Sequence, residues 1–262
     1  RDTTPWGVMV SEYMLQQTPV NRVLPKWNEW MERWPTPKDL AKATPAQVIT
    51  AWGRLGYPRR ALRLHAAAQI IAEDFNNKVP EDQETLQLLP GIGEYTAAAI
   101  AAFAFEQRSL VMDVNIRRLL VRAIDGEEHP KPAPTAREKA RRLAVLPEKN
   151  AHVWAAATME LGALVCTSKN PSCELCPIIG QCNWRKNGYP KTELVRKSQD
   201  WHGTDRKCRG TIVQALRENE SLTESAIKKL WPDESQVEKA LKTLLADQLI
   251  QALPRHRYRL PQ

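Results

Sequence analysis

Leu89-Pro90-Gly91-Ile92-Gly93-Glu94-Tyr95-Thr96-Ala97 is the stretch on which the reading of this chain turns. It lies between two segments with helical apolar spacing, Glu84 to Leu89 and Glu94 to Phe105, and its two glycines permit positive φ and the close approach of a phosphate. Amide N–H groups at the start of the second segment then point outward together, beside the positive end of the helix dipole. Such a turn holds a phosphate without reading a base, which is the physics of a helix-hairpin-helix. A lone Gly-x-Gly describes a packing corner between helices equally well. The surrounding sequence must decide.

Outward from this turn the chain reads as helical. Apolar residues recur at three- and four-residue spacings from Trp6 to about Gly126, as in Val10, Tyr13, Met14 and Leu64, Ala67, Ala68, Ile71, whereas strand-like alternation is nearly absent. Thr36-Pro37, Thr44-Pro45 and Pro80-Glu81-Asp82 mark the starts of short helices over Lys38 to Ala43, Ala46 to Gly53 and Glu84 to Leu89. The run His129-Pro130-Lys131-Pro132-Ala133-Pro134-Thr135 is too rich in proline for a helix and precedes a basic one, Ala136 to Leu146. A buried helix is expected at Val153 to Val165. The fold class expected is all-α, with a small appended module.

Composition narrows the function. The 262 residues are 42% hydrophobic and 26% charged, and 38 Lys and Arg against 30 Asp and Glu leave a net charge of +8. Disorder and collagen-like structure are excluded, and the positive surface favours a polyanionic partner. No apolar run is long enough to span a bilayer, so no membrane association is expected. The opening on Arg1 and the missing apolar leader suggest a trimmed piece of a cytoplasmic protein.

Four of the five cysteines fall in Cys166-x6-Cys173-x2-Cys176-x5-Cys182, after the last helix of the main body. Zinc sites usually pair two Cys-x-x-Cys knuckles from separate elements. One compact loop with unequal spacings suits a [4Fe–4S] cluster better, and four ligands saturate it, so its role is structural. Cys208 stands apart as an ordinary thiol. Two acids interrupt apolar stretches: Glu12 in Ser11-Glu12-Tyr13-Met14-Leu15-Gln16-Gln17-Thr18, and Asp113 in Val111-Met112-Asp113-Val114-Asn115. Taken alone, Asp113 reads as the N-cap of a helix over Ile116 to Ala123.

Together these motifs carry a resemblance. Ser11-Glu12 with Met14 to Thr18, Gly53-Arg54-Leu55-Gly56-Tyr57, Leu89 to Gly93, Asp113-x-Asn115-x-Arg117-Arg118, Glu160-Leu161-Gly162-Ala163 and the cysteine spacing resemble the endonuclease III-like superfamily of helix-hairpin-helix DNA glycosylases with an iron–sulfur loop. Within it, the adenine glycosylase (MutY) family is the most similar. The resemblance spans Trp6 to Cys182 and implies a two-lobed all-α glycosylase: a six-helix barrel with the hairpin over 1–115, then an iron–sulfur domain over 116–187. It implies a monomer acting on double-stranded DNA with a mismatched or oxidised base pair.

The implied chemistry is removal of adenine opposite 8-oxoguanine or guanine in base excision repair. A stacked base must first be flipped out, with Gln16 and Tyr57 filling or wedging the gap and Gln17, Thr18, Gly91 and Gly93 along the DNA. Protonated Glu12 would act as general acid toward the adenine ring, and ionised Asp113, followed by Asn115, would stabilise the sugar cation. Bifunctional relatives place a lysine where this chain has Tyr95, so base excision without efficient strand cleavage is expected. The chain departs from that family at Ala156, where many relatives present Glu or Gln to the base, and at Val114, which replaces a common Gly.

Beyond Cys182 the family's usual Nudix-like domain is not recognisable. A basic linker over 188–205 leads instead into 206–262, read as three helices (Lys207 to Arg217, Thr223 to Leu230, Glu234 to Asp247) and a two-stranded ribbon around Pro254-Arg255, a winged-helix-like module. Docking and DNA contact are both open for it. Two other functions stay in view: a thymine (T opposite G) mismatch glycosylase of the same superfamily, and a non-catalytic iron–sulfur DNA-binding regulator, which would have no need of Glu12 and Asp113.

Overall fold

The computed structural model describes residues 3–192 and 203–262, and most of the basic linker expected over 188–205 lies outside the described residues. By contacts they form two compact units, one of residues 3–80, 89–91 and 203–262 and one of residues 81–88 and 92–192.

The first unit begins with α1 (Pro5–Leu15), α2 (Val20–Arg33), α3 (Pro37–Ala41), α4 (Pro45–Trp52) and α5 (Arg59–Asp74). Each of α1, α3 and α4 starts on a Thr-Pro pair, with the threonine as N-cap. α1 is buried almost all round, from Trp6 to Val10 and from Glu12 to Met14, because α2 and α5 pack on it. Trp30 of α2 meets Trp34 and Trp52 edge-on at 4.8 and 5.5 Å between ring centres. α5 turns Ala61, Leu64, Ala67, Ala68 and Ile71 inward, one face of a 3.6-residue period.

The second unit holds α6 (Gln83–Leu88), α7 (Glu94–Phe105), α8 (Val114–Leu120), α9 (Ala136–Val145), α10 (Ala151–Leu164) and the short α11 (Asn183–Lys186). α7 buries every residue from Thr96 to Ala102 and is its central helix. α10 departs from expectation. It is not a buried helix: Val153 and Leu164 are exposed, and only Ala151, Ala155 and Gly162 are inside. The reason is close approach to α8, since a Cβ built on Gly162 would lie 2.6 Å from the carbonyl oxygen of Asn115. Small residues make the seam with α8, Trp154 and Met159 pack partly buried beside it, and Val153 and Leu164 face out. α8 ends in a wide π-type turn, Val121–Asp125, closed by Gly126 at φ +74°.

The chain returns to the first unit with α12 (Asp205–Glu218), α13 (Glu224–Lys228) and α14 (Glu234–Ala246). The expected two-stranded ribbon is a three-stranded antiparallel sheet in the order β1-β3-β2: β1 (Leu222–Thr223), β2 (Gln251–Leu253) and β3 (Arg257–Arg259). The extra strand is hidden because it has only two residues, the second of which, Thr223, is also the N-cap of α13, its hydroxyl accepting from Ala226 N. Cys208, Ile212, Val213, Leu216, Val237, Leu241 and Leu260 form a core that also contains Ile49 of α4. Among the described residues, no helix is long and apolar enough to cross a membrane.

Candidate active site and cysteine loop

In the first unit the candidate residues surround the exposed end of α1. Glu12 is buried in its last turn. Beyond it the chain leaves the helix through Gln16 and through Gln17, exposed at φ +56°, to the buried Thr18. Helix C-termini leave carbonyls unpaired, and here one side chain gathers them. Arg60, the second residue of α5, donates to Tyr13 O at 3.0 Å, Met14 O at 3.1 Å, Gln16 O, Thr18 Oγ1 at 2.9 Å, Leu55 O at 3.2 Å and Gly56 O at 3.0 Å. Burial, with the charges of Arg206 and Arg22 pushing the same way, lowers the Arg60 pKa to about 10, so it remains a cation at neutral pH. One guanidinium thus ties the end of α1 to the Gly53–Tyr57 loop. Sequence reasoning missed Arg60. The only signal was that Arg60 stands beside Ala61 and four residues before Leu64, on the apolar face of its helix.

The glycine turn is tied to the same end of α1. The Tyr13 hydroxyl donates to Pro90 O, and Gln16 Nε2 donates to Gly91 O at 3.4 Å. Burial pushes the Tyr13 pKa upward, so it stays a neutral donor. Gly91 sits at φ +87°, and a Cβ there would lie 3.0 Å from Tyr13 Cε1 and from Arg63 Cβ. Tyr57 is half-exposed, in the left-handed region at φ +45°; its ring carries the Arg206 guanidinium at 4.0 Å and that of Arg60 at 5.7 Å.

In the second unit Gly93 is the N-cap of α7 at φ −97°, so of the two glycines only Gly91 uses positive φ. A Cβ on Gly93 would meet nothing within 4 Å. Tyr95, in the first turn of α7, packs with Trp154 and Met159 against the buried Ala99, Ile116 and Ala155.

Asp113 caps α8, which begins at Val114 instead of Ile116. Its Oδ1 accepts from Asn115 N and Ile116 N, both at 2.7 Å, and its Oδ2 from Asn115 Nδ2 at 3.2 Å. Burial raises the Asp113 pKa above the usual carboxylate value, partly offset by these amide bonds and by Arg118. Arg118 donates to Asn115 Oδ1 at 2.9 Å, to Cys166 O at 2.7 Å and to Gly162 O. The Asn115 amide is therefore fixed in both directions. A continuous hydrogen-bonded chain runs from the first cysteine of the loop to the Asp113 carboxylate.

The four cysteines are free thiols lining one cavity with Arg122, Ile179 and Trp184. Among the described residues, no three or more His, Cys, Asp or Glu side chains converge tightly enough to hold a metal ion. The donor set nevertheless suits a soft, multi-metal group. Arg122 donates from Nη1 to Cys166 Sγ at 3.3 Å and to Thr167 O at 2.8 Å, while its guanidinium lies 4.6 Å from the Trp184 ring centre, so a fixed cation faces the sulfurs. Burial, with neighbouring cysteine sulfurs among its further causes, pushes the Cys173 and Cys176 thiols up. Compensating positive charge would reverse that.

Comparison with known proteins agrees with this geometry. The chain is 46% identical over 262 residues to an adenine DNA glycosylase of Mycobacterium tuberculosis, covering 98% of this chain and 86% of that protein. It is 41% identical over 188 residues to the adenine DNA glycosylase of Homo sapiens, covering 71% of this chain and 34% of that protein. Among solved structures, a thermostable thymine-DNA glycosylase superimposes with a TM-score of 0.65 at 21% identity, over 71% of this chain and 89% of that one. A non-covalent endonuclease III–DNA complex gives 0.63 at 19%, over 72% and 88%; these two likenesses speak for the fold alone. Residues 10–144 match the HhH-GPD superfamily of base excision DNA repair proteins, and the chain belongs to that family.

Proposed function

We propose that the chain flips an adenine paired with 8-oxoguanine or guanine out of duplex DNA and hydrolyses its N-glycosidic bond without efficient strand cleavage. Its activity as an adenine DNA glycosylase of base excision repair rests on family membership and on 46% identity across 98% of the chain to a relative of that activity. The observation that carries the chemistry is the Asp113 carboxylate, held by two backbone amides and by an Asn115 side chain that is itself fixed. An anion so held can face a developing sugar cation without reorganising. Glu12, buried at the end of α1, is assigned as general acid to the adenine ring, which turns the base into a neutral leaving group for attack by water. Tyr95 stands where a Schiff-base lysine would be needed for strand cleavage. Gln16 and Tyr57 are assigned to the gap left by the base, Gln17, Thr18 and Gly91 to the flanking strand, and the Gly93 amide to a phosphate.

Cys166, Cys173, Cys176 and Cys182 are assigned to a [4Fe–4S] cluster, whose contribution would be to fold and fix the loop beside α8. The helices and three-stranded sheet of residues 203–262 are read as a winged-helix-like module, and the molecule as a monomer on double-stranded DNA. Single-turnover excision from duplexes holding A opposite 8-oxoguanine, A opposite G and T opposite G tests the reading. Adenine release from the first two, with strand breaks only after alkali, is expected. Release of thymine alone would overturn it.

A further inference from the structure

We infer that Arg206 of the C-terminal module is a positioning residue for Tyr57, so that this module takes part in extruding the base. The inference rests on the assignment of Tyr57 to the gap. Tyr57 needs external support: it is a bulky residue in the left-handed region, following Gly56 at φ +85°, and its ring is half-exposed. With 40% of the residue exposed, the plane of the ring is set by the few groups that lie against it. Two guanidiniums lie over it. Arg60, at 5.7 Å, is engaged by six acceptors beneath the loop, whereas Arg206, at 4.0 Å and exposed, comes from the first turn of α12, about 150 residues further along the chain.

The approach is rigidly built. Arg217 at the far end of α12 donates from Nε to Ile49 O at 3.1 Å, and Ile49 itself lies within the module's core. Asp247 receives both Arg209 of α12 and Arg59 of α5, the latter at 3.1 Å, two residues from Tyr57. α12 therefore cannot drift relative to the Gly53–Tyr57 loop, and Arg206 is delivered to the ring by the fold. Exposed Arg22 and Arg54 on the same unit are linked by a bond from the Arg22 side chain to Arg54 O, and the Arg22 charge is felt at Arg60. A planar cation stacked on an aromatic face fixes the plane of the ring.

The test is a double-mutant cycle of parent, Arg206→Ala, Tyr57→Ala and the double variant. It is read as single-turnover excision of A opposite 8-oxoguanine and as affinity for the same duplex carrying the non-cleavable 2′-fluoro adenine nucleotide. Arg206→Ala is expected to lose about threefold to fivefold in both, the scale of one solvent-exposed cation–ring contact. In the Tyr57→Ala background the same change should cost less than about twofold, because two residues acting through one contact do not add. Multiplying losses, or an Arg206→Ala variant within twofold of the parent, would overturn the inference. Should Arg206→Ala lower the melting temperature by more than about 2 °C, Arg206→Met, which keeps the stem over the ring, is read in its place against the same twofold limit. A parent that binds the duplex but releases no adenine sinks the excision reading, and the affinity cycle still judges Arg206.

Discussion

The helix cap seen at Asp113 and the catalytic anion proposed there make demands that pull against each other, and its pH behaviour follows from them. As a helix cap it is served by the anion, which Asn115 N and Ile116 N stabilise, yet burial outweighs them and raises its pKa above the ordinary 3.8. A carboxyl with a raised folded pKa favours folding most below its unfolded pKa and loses that contribution as pH rises through the folded value. Catalysis that needs the anion runs the other way. The acid limb of the excision rate is therefore expected above the usual aspartate range, and Asp113→Asn should abolish that limb together with most of the rate. A profile flat down to pH 4 would contradict the assigned anion. Glu12→Gln is a cleaner probe of the acid, because the side chain keeps its size: binding of mismatched DNA should persist while single-turnover excision falls by at least about 10². Near-parental excision would remove Glu12 from the mechanism. Both acids stand out in the sequence because each breaks an apolar run. Arg60 does not, since nothing in a linear pattern says that a guanidinium will serve the carbonyl end of a helix more than forty residues earlier.

At the scale of elements, the glycine turn separates two roles that the sequence presents as one. Gly91 is required by the backbone, at φ +87°, with Tyr13 and Arg63 at 3.0 Å from any added Cβ. Gly93 needs neither unusual φ nor protein space, so its missing side chain keeps open the approach to the N-terminus of α7. Gly91→Val should lower thermal stability, by roughly 1–3 kcal/mol for overpacking with added backbone strain. Gly93→Val should melt like the parent and weaken binding to matched and mismatched duplexes about equally, because in the proposed role amides there would meet backbone and not bases. The reverse pattern in melting curves and gel shifts would exchange the roles. The second helix of the hairpin, Glu94–Phe105, was read from the sequence with its bounds correct, since a run of alanines between glycine and a left-handed Glu106 leaves little choice. α10 was misread as buried because Val153 and Leu164 signalled a core, while Gly162, which sets how closely α10 meets α8, says nothing by hydropathy. Gly162→Ala should push on Asn115 and so disturb Asp113. Its expected cost is about 1–3 kcal/mol in stability, again by overpacking, together with slower excision measured at saturating enzyme.

For the molecule as a whole, charge and the cysteine loop set how it meets a polyanion. A net charge of +8 is a property of composition, legible at once. Its distribution is not, because it depends on folding that brings Arg206 and Arg22 near enough to Arg60 for their charges to be felt. Three-dimensional assembly also brings Ile49 into the core of the C-terminal helices, a contact between residues more than 150 positions apart that no periodicity encodes. Affinity for duplex DNA should fall steeply with salt, with a slope in log–log form of about −0.9 for each phosphate neutralised. The cysteine loop bears on the same measurement. Arg118 joins Cys166 O to Asn115, and Arg122 joins Cys166 Sγ to the loop that follows, so losing a cluster would loosen α8 from behind. Cys173→Ser is accordingly expected to reduce bound iron from about four atoms per chain, the content of a cubane cluster, and to weaken DNA binding before it slows the chemical step. Zinc in place of iron in the parent would overturn the cluster assignment. Intact affinity with slow chemistry would instead place the effect of the loop at Asp113, through the hydrogen-bonded chain from Cys166.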